Sequence, residues 1–540
     1  MTRVLLRRGQ QAARIGLRAA VALTIVLAFA ASGQAGTAMK NPDVLLWGVY
    51  FEPSTLDPHT TTELAAIWLA DNMYDTLVRY RAATRDGRLV GTADIGPSLA
   101  ESWDISADGL TYTFHLRRGA RFHDGSEVTA EAVRYSLARV LRLNFAPAST
   151  LKDYLAPDGI RALDRYTVQM RLKRPSPFFL HLLANTATGA IVNPARVEAN
   201  GGIQDGQINE WMRRHEAGSG PFAFGEWVPG ERYELVAFKD YWGGAPKLDK
   251  VVFRVINDFS TQFLLLQRGE LDIVYRLPPE MVSRAVTNPE LAVTREAGVG
   301  LHTLYLNNKV KPFDDPRVRQ AVMYAINADE INQAAAFGFA TVARSCLPSA
   351  IEGFNPQLWP YREDLGKARA LLAEAGYAGG FTTELYYNSG NTEREQTAVA
   401  LQAQLARVGV NVQIRSIAWP TYVSYFQEGK MPMFILSSVS MPIADVFVRN
   451  TYHSASAGRG NYAFFSDPAL DGLIDRLPAT FQPADRKVLL DQIQARCAEQ
   501  MPSPPIYEVT QFYVLRKWVK DWVLYPSGQW FFSTVYKAAP

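Results

Sequence analysis

Two consecutive helix-then-strand units in the C-terminal half constrain the fold of this chain most strongly. Asp364 precedes apolar residues at helical spacing that stop at Gly376, and residues 381–387 then have the pattern of a strand. A second amphipathic helix from about Thr392 ends at Gly409, and an alternating strand follows it. This βαβ-like repetition predicts a mixed α/β fold.

Elements of the same two kinds occur earlier in the chain. Residues 111–116 alternate between polar and apolar, with Tyr112, Phe114 and Leu116 on one face, which is typical of a half-buried strand. Asp315 followed by Pro316 predicts a capped helix start. The mixed α/β class therefore applies to the chain outside its N-terminal segment.

The N-terminal segment has the layout of a secretory signal peptide, predicted over residues 1–35. A stretch with five arginines and no acid leads into the apolar run 19–31, and small residues precede a cut after Ala35. The apolar run is shorter than the roughly 20 residues that a membrane-spanning helix needs. Because no cysteine lies near the cut, a lipid anchor is excluded. We therefore expect an exported, soluble protein.

Charge excludes one class of partner. The whole chain of 540 residues carries 56 Lys and Arg against 53 Asp and Glu, a net charge of +3. Without residues 1–35 the balance is 51 to 53, a net charge of −2. A slightly acidic body with dispersed charges lacks the basic field that nucleic acid requires.

The length of the chain indicates two or more compact domains.

The two cysteines, Cys346 and Cys497, leave two alternatives open. An oxidising compartment permits a disulfide between them, and two buried free thiols are equally compatible with the sequence. Neither cysteine has a second Cys or a His at the spacing of a metal site. We expect no metal at either position.

Catalytic motifs are absent from the sequence. There is no nucleophile elbow, Walker loop or dinucleotide fingerprint, and His215-Glu216 has Ser219 where a zinc-binding helix needs its second histidine. We therefore expect no cofactor and no metal, and binding rather than catalysis. A secreted hydrolase with two cleft carboxylates stays as an alternative, because the fold and not the spacing would bring such a pair together.

Several stretches resemble family 5 solute-binding proteins of ABC importers, the periplasmic receptors for oligopeptides, dipeptides and nickel chelates. They occur in the order of that family and extend over nearly the whole predicted mature chain. The stretches are residues 52–58, 99–103, 108–117, 122–125, 218–222, 269–272, 315–321 and 465–468.

The resemblance implies the periplasmic binding protein fold, with two lobes around a hinged cleft and an additional inserted domain. Lobe I would combine residues 36–80, 196–300 and 511–540, the inserted domain would be 81–195, and lobe II would be 301–510. The receptor would be a monomer that closes on its solute and then docks on an ABC permease in the inner membrane.

The resemblance also points to a set of ligand-binding residues in the cleft. Trp419 matches a pocket aromatic of the peptide receptors and precedes a helix with Tyr422, although a core position for Trp419 is an alternative. Peptide receptors place a Trp and an Asp just after a far-lobe strand, where this chain has serines and then Asp445. The candidates are Thr61, Asn388, Ser389, Trp419, Tyr422, Ser438, Ser440 and Asp445.

The position of Asp445 after the far-lobe strand affects which chemical groups the ligand can carry. A buried ammonium group needs a paired charge, so either Asp445 reaches the cleft in a shifted register or the solute presents no ammonium there. The expected solute is a peptide or peptide-like molecule. A non-peptide polar solute such as a sugar or an opine is the alternative within the same receptor class, and a chaperone-like or sensory receptor is a third.

Overall fold

The computed structural model describes residues 39–61, 63–85, 88–176, 178–439, 442–525 and 527–539. The predicted signal peptide lies outside the described residues. The strands are β1 (Val44–Val49), β2 (Val78–Arg85), β3 (Arg88–Pro97), β4 (Ala100–Ile105), β5 (Thr111–Leu116), β6 (Leu155–Ala162), β7 (Thr167–Leu172), β8 (Phe222–Val228), β9 (Arg232–Ala237), β10 (Lys250–Val255), β11 (Ile273–Tyr275), β12 (Leu291–Leu306), β13 (Thr341–Val342), β14 (Phe381–Asn388), β15 (Val410–Ile417), β16 (Met433–Val439), β17 (Pro505–Arg516), β18 (Val519–Lys520) and β19 (Tyr536–Lys537).

The helices alternate with these strands along most of the chain. They are α1 (Leu64–Met73), α2 (Ala130–Leu143), α3 (Ala148–Leu151), α4 (Phe179–Ala184), α5 (Thr186–Gly189), α6 (Pro194–Glu198), α7 (Phe259–Gln267), α8 (Pro279–Val286), α9 (Pro316–Ala325), α10 (Ala328–Ala336), α11 (Leu365–Glu374), α12 (Thr392–Ala406), α13 (Trp419–Glu428), α14 (Ala444–Tyr452), α15 (Pro468–Arg476) and α16 (Pro483–Gln500). Within the described ranges, none of them is both long enough and apolar enough to cross a membrane.

One large sheet extends through both ends of the molecule. Its strand order is β15-β14-β16-β12-β17-β11-β1-β10-β9-β8, and β13 pairs with β17. We call the side with β1 and β8 to β11 the near half, and the side with β14 to β16 the far half. The neighbouring strands β12 and β17 lie between the two halves and take part in both.

The pairing of β12 with β17 is interrupted where the chain passes from one half to the other. The antiparallel register is regular from Leu291 opposite Arg516 to Ala297 opposite Thr510, and it resumes with Leu301 opposite Glu508. On the near side of this interruption β17 pairs with β11, and on the far side β12 pairs with β16. The irregular stretch therefore lies where the regular pairing of the two strands passes from the near half to the far half.

The helix-then-strand units predicted from the sequence are present in the far half. α11 begins after Asp364, whose carboxylate accepts a hydrogen bond from the Lys367 amide at 2.9 Å. β14 pairs in parallel with both β15 and β16. In the near half, β1 is likewise parallel to β10 and β11. The mixed α/β class is confirmed.

A second, four-stranded antiparallel sheet in the order β4-β5-β7-β6 packs against α2 and α4. Tyr112, Phe114 and Leu116 of β5 are buried on one face, as the alternation predicts. Ile443 of the far half joins the same hydrophobic cluster, and Val446 packs against it. This sheet is therefore in contact with the far half as well as the near half.

Residues of the resembling stretches connect distant parts of the chain. Asp57 pairs with Arg139 of α2 at 2.5 Å, and both side chains are fully buried. Asp272 accepts hydrogen bonds from Lys537 at 2.9 Å and from Trp518 at 2.6 Å. Such buried acids need specific partners to be tolerated, which explains why these stretches identify a fold and not a ligand.

The two cysteines lie together in one hydrophobic cluster of the far half. Cys346 and Cys497 are both buried free thiols, and Cys497 is on α16. Burial, and then the neighbouring Cys346, raise the pKa of the Cys497 thiol. Of the two alternatives that the sequence leaves open, the structure has the free thiols.

Candidate functional site

Strand ends from both halves meet at the interruption between β12 and β17. Tyr275 of β11 lies opposite Tyr513, so β11 and the parallel β1 run toward the interruption. Ser438 of β16 lies opposite Leu301, so β16 and the parallel β14 and β15 also end beside it. Open α/β sheets bind ligands beyond the carboxyl ends of their strands. The candidate site is therefore the cleft between the two halves at this point.

On the far side of the cleft, two of the predicted residues follow β14 directly. The Asn388 side-chain oxygen accepts a hydrogen bond from the Arg394 guanidinium at 2.5 Å. The Ser389 amide donates to the Ile417 carbonyl at 2.8 Å and so ties the ends of β14 and β15 together. Asn391 caps α12 by accepting from the Arg394 amide, which places Arg394 in the first turn.

Arg394 and Trp419 form the most distinctive contact of this side. The Trp419 side chain, at the start of α13, is 48% exposed. The Arg394 guanidinium carbon lies 5.7 Å from the centre of its indole, a cation–π distance. Arg394 is only 8% exposed, and among the described side chains no carboxylate lies within 4 Å of it. Among the described side chains, Arg394 is thus a buried cation with no charged partner.

Tyr422 lies beneath Trp419 and not on the cleft surface. Its side chain is fully buried, and its hydroxyl donates to the Ile435 carbonyl. Burial raises the pKa of the Tyr422 hydroxyl above its usual range. The Tyr422 ring packs against Phe426 and Phe434 in the far-half core. In this structure Tyr422 supports the site from below, and Trp419 is the exposed aromatic residue.

Asp445 is committed to an ion pair inside the protein. It is 4% exposed, and its carboxylate accepts a hydrogen bond from the Arg486 guanidinium. Arg486 also lies 2.9 Å from the Glu352 carboxylate. Since its charge is already balanced by Arg486, Asp445 is not placed to pair with a ligand ammonium group in this arrangement.

The serines at the carboxyl end of β16 differ in their surroundings. The Ser438 side chain is half-buried, and its hydroxyl donates to the Leu301 carbonyl at 3.4 Å. The Ser437 oxygen lies 2.8 Å from Nδ1 of His302, which is buried, and burial lowers the pKa of His302 to about 4. Ser440 lies outside the described residues.

Thr61 follows β1 in the loop before α1. Its hydroxyl oxygen accepts a hydrogen bond from the Glu63 amide at 2.9 Å, so it is used in the local turn. The structure shows no contact between Thr61 and the group around Arg394.

One near-side residue, Arg276, was missed by sequence reasoning. Arg276 follows β11 immediately and has a φ of 56°, a left-handed backbone that is uncommon for a non-glycine residue. Its side chain is exposed, interacts with the Tyr50 hydroxyl and lies 5.3 Å from the Tyr275 ring centre. A charged residue directly after the apolar run Ile273–Tyr275 is the sequence signal that could have identified it.

The structure therefore brings together part of the predicted site. Asn388, Ser389, Trp419 and Ser438 lie at the carboxyl ends of adjacent far-half strands. Tyr422 supports them, whereas Asp445 and Thr61 have partners elsewhere. In the described part of the chain, no three His, Cys, Asp or Glu side chains gather as a metal site.

Comparison with known proteins assigns the family. A model of bacterial extracellular solute-binding proteins, family 5 Middle, matches residues 94–459. The chain belongs to this family. It is 32% identical over 487 residues to the glutathione-binding protein GsiB of Pectobacterium atrosepticum, covering 86% of this chain and 90% of that protein. It is 29% identical over 508 residues to the dipeptide-binding protein of Escherichia coli, covering 90% and 92%.

These relatives are substrate-binding proteins of ABC importers and not enzymes. The expectation that this family 5 member binds a solute without converting it is therefore confirmed by its relatives. The alternative of a two-carboxylate hydrolase has no support among them.

Solved structures confirm the periplasmic binding protein fold. The unliganded open form of the murein tripeptide-binding protein MppA superposes with a TM-score of 0.77 at 25% identity, covering 93% of this chain and 99% of MppA. DppA of Helicobacter pylori with the peptide STSA gives 0.69 at 29% identity, covering 92% and 98%. AgaA of A. tumefaciens R10 with agropinic acid gives 0.67 at 28% identity, covering 92% and 99%.

Proposed function

We propose that this family 5 member is a periplasmic receptor that captures a peptide or peptide-like solute and delivers it to an ABC permease in the inner membrane. Its lobe I consists of residues 36–80, 196–300 and 511–540, and its lobe II of residues 301–510. An inserted domain consists of residues 81–195. Residues 1–35 direct its export, and the mature protein acts as a monomer.

The observation that carries this proposal is the arrangement of strand ends around a two-strand connection. The interruption between β12 and β17 is bordered on one side by the carboxyl ends of β1 and β11. On the other side it is bordered by the carboxyl ends of β14, β15 and β16. A solute that contacts both sides stabilises the closed state by its differential affinity for that state. Binding therefore drives hinge closure, and the permease can distinguish loaded from empty receptor.

The far side supplies the groups that a peptide needs. The Arg394 guanidinium can pair with a carboxylate through two parallel hydrogen bonds, and such charge-assisted pairs are strong in a desolvated site. The exposed indole of Trp419 offers a flat apolar surface to the rest of the solute. The names of the glutathione-binding and dipeptide-binding relatives support a peptide or peptide-like ligand.

The pairing of Asp445 supports a second candidate solute. Because Arg486 already balances its carboxylate, the far side has no free acid at this position for the ammonium group of an ordinary peptide. An acidic non-peptide metabolite such as an opine has no such requirement. The structural similarity to AgaA in complex with agropinic acid supports this alternative.

Calorimetry and small-angle scattering on the purified mature protein test the proposal. We expect a dipeptide or tripeptide, or else an opine, to raise the melting temperature and to reduce the radius of gyration on binding. Glucose serves as the neutral non-peptide control. A bound solute that leaves the dimensions unchanged would contradict closure, and mass spectrometry that found the solute cleaved would contradict a binding role.

A further inference from the structure

Each side of the cleft has an arginine that lacks an acidic partner among the described side chains. Arg394 lies beyond β14 in the far half, and Arg276 lies beyond β11 in the near half. Among the side chains that the structure describes, neither guanidinium has a carboxylate within 4 Å. The strands that carry them end at the same interruption of the β12–β17 pair.

Other buried arginines of this chain are compensated internally. Arg139 pairs with Asp57, and Arg486 pairs with Asp445. Arg319 has no carboxylate partner but donates five hydrogen bonds to main-chain oxygens. Arg394, in contrast, donates one side-chain hydrogen bond, to Asn388, in the described structure. Its remaining donors are available to a group from outside the protein.

The backbone of Arg276 and a neighbouring tyrosine both constrain its position beyond the end of β11. Its left-handed conformation is one that L-residues adopt only when the surrounding structure enforces it, and such residues cluster at binding sites. The Tyr50 hydroxyl, just after the parallel strand β1, interacts with the guanidinium. Glu393, the residue before Arg394 in the chain, has a different partner, because its carboxylate accepts a hydrogen bond from the Tyr507 hydroxyl at 2.8 Å.

We propose that the solute carries two anionic groups, one bound by Arg394 and the other by Arg276 with Tyr50, so that Arg276 determines specificity. This inference rests on the proposed receptor function and narrows its substrate class to diacids, such as a peptide with an acidic side chain or an acidic metabolite. Closure on a neutral solute would bring two unpaired guanidinium groups toward each other in a desolvated cleft. Two anionic groups remove that repulsion, so solute charge and closure are coupled.

Matched pairs of solutes that differ by one charge test the role of Arg276. Ala-Glu and Ala-Gln have the same shape, and glutathione can be compared with its glycine carboxamide. By calorimetry we expect the wild-type protein to bind the diacid of a pair about 10- to 100-fold more tightly, as for other charge-assisted hydrogen bonds. Arg276→Gln should abolish that preference, and Arg276→Lys should restore part of it.

Arg268 provides a matched control on the same half. It is exposed and follows α7, so it precedes the amino end of β11, whereas Arg276 follows the carboxyl end. Arg268→Gln removes the same charge from the same half and should leave both affinities within twofold. Equal losses for Arg268→Gln and Arg276→Gln would show a general charge effect and overturn the assignment.

The outcomes separate this inference from the proposed function. Tighter binding of a carboxamide than of its diacid, with closure intact, would overturn the diacid class and leave the receptor role standing. Equal effects of Arg276→Gln on both members of a pair would show that Arg276 does not select charge. Failure of every neutral, monoanionic and dianionic solute to bind or to close the protein would overturn both proposals.

Discussion

Two buried arginines of this molecule differ in how their charge is balanced. Arg139 of α2 is fully buried and donates to both oxygens of Asp57, at 2.8 and 2.5 Å. Arg394 beside the cleft is 8% exposed and has an amide oxygen and aromatic rings as partners. The first arginine is balanced within the protein, whereas the second leaves its charge for an incoming group.

This difference in charge balance distinguishes an arginine that stabilises the fold from one that is available to bind a solute. Removing a cation from water costs several kcal/mol per ion unless a partner restores the lost interactions. For Arg139 the partner is part of the chain and is present in every state of the folded protein. For Arg394 the partner would be the solute, so the folded protein without solute has unused interaction energy at this position.

The largest expected effect concerns the internally balanced arginine. Asp57→Ala should lower the free energy of unfolding by about 3–5 kcal/mol, because it leaves the Arg139 guanidinium buried without its counter-charge. Urea unfolding followed by circular dichroism measures this loss. The double variant Asp57→Ala with Arg139→Met should recover much of the stability, and no recovery would contradict the electrostatic explanation.

Buried histidines beside the two arginines extend the comparison to pH. Burial, and then the charge of Arg139, lower the pKa of His59 to about 3. Burial lowers the pKa of His302 to about 4; Glu393 raises this pKa and Arg394 lowers it, both to a smaller extent than burial. The folded state therefore holds both rings neutral. Stability is full above about pH 6.5, the ordinary histidine pKa, and falls as the pH drops, because only the unfolded chain takes up the proton.

For His302 alone the expected loss is about 3 kcal/mol between pH 7 and pH 4. Urea unfolding at several pH values measures it. The variant His302→Gln keeps a polar side chain that cannot titrate, so its stability should fall less steeply over the same range. Parallel pH profiles for the two proteins would show that His302 does not contribute.

Removing the unbalanced arginine should affect binding more than folding. Arg394→Met keeps the length of the side chain and removes a buried charge, so the free energy of unfolding should stay the same or rise slightly. Affinity for an anionic solute should fall by about 1.5–3 kcal/mol, measured by calorimetry. A large drop in stability with affinity retained would place Arg394 with Arg139 as a structural residue.

The smallest effect distinguishes the two aromatic residues beside Arg394. Trp419→Ala should weaken solute binding by about 1 kcal/mol with little change in stability, since its indole is half-exposed. Tyr422→Phe removes the hydroxyl that donates to Ile435 and should lower stability by about 1 kcal/mol with affinity retained. Calorimetry and thermal unfolding on both variants measure this. The opposite result for either residue would exchange their roles.

Local sequence patterns were sufficient to predict much of the fold. Asp364 and Asp315 cap helices at the predicted positions, because a capping side chain and the first turn are adjacent in sequence. The alternation of residues 111–116 predicted which side chains of β5 are buried. The pairing of β12 with β17 joins residues about 200 positions apart, so its interrupted register is visible only in the structure.

The candidate site was predictable to the extent that it depends on strand ends. Asn388 and Ser389 were proposed because they follow a predicted strand, and Trp419 because it matches a pocket aromatic of the peptide receptors; the structure places all three at strand ends of the far half. Asp445 is separated from Arg486 by 41 residues, and no local pattern reveals that the two side chains form an ion pair. The left-handed backbone of Arg276 equally depends on surroundings that the sequence does not show.

The connection through β12 and β17 has a consequence for affinity. Because these strands stay hydrogen-bonded to each other on both sides of their interruption, the halves are never independent molecules. Once one half has bound a solute, the other meets it at a high effective concentration. Two contacts that are each too weak to retain a solute alone can therefore together bind it tightly and reversibly.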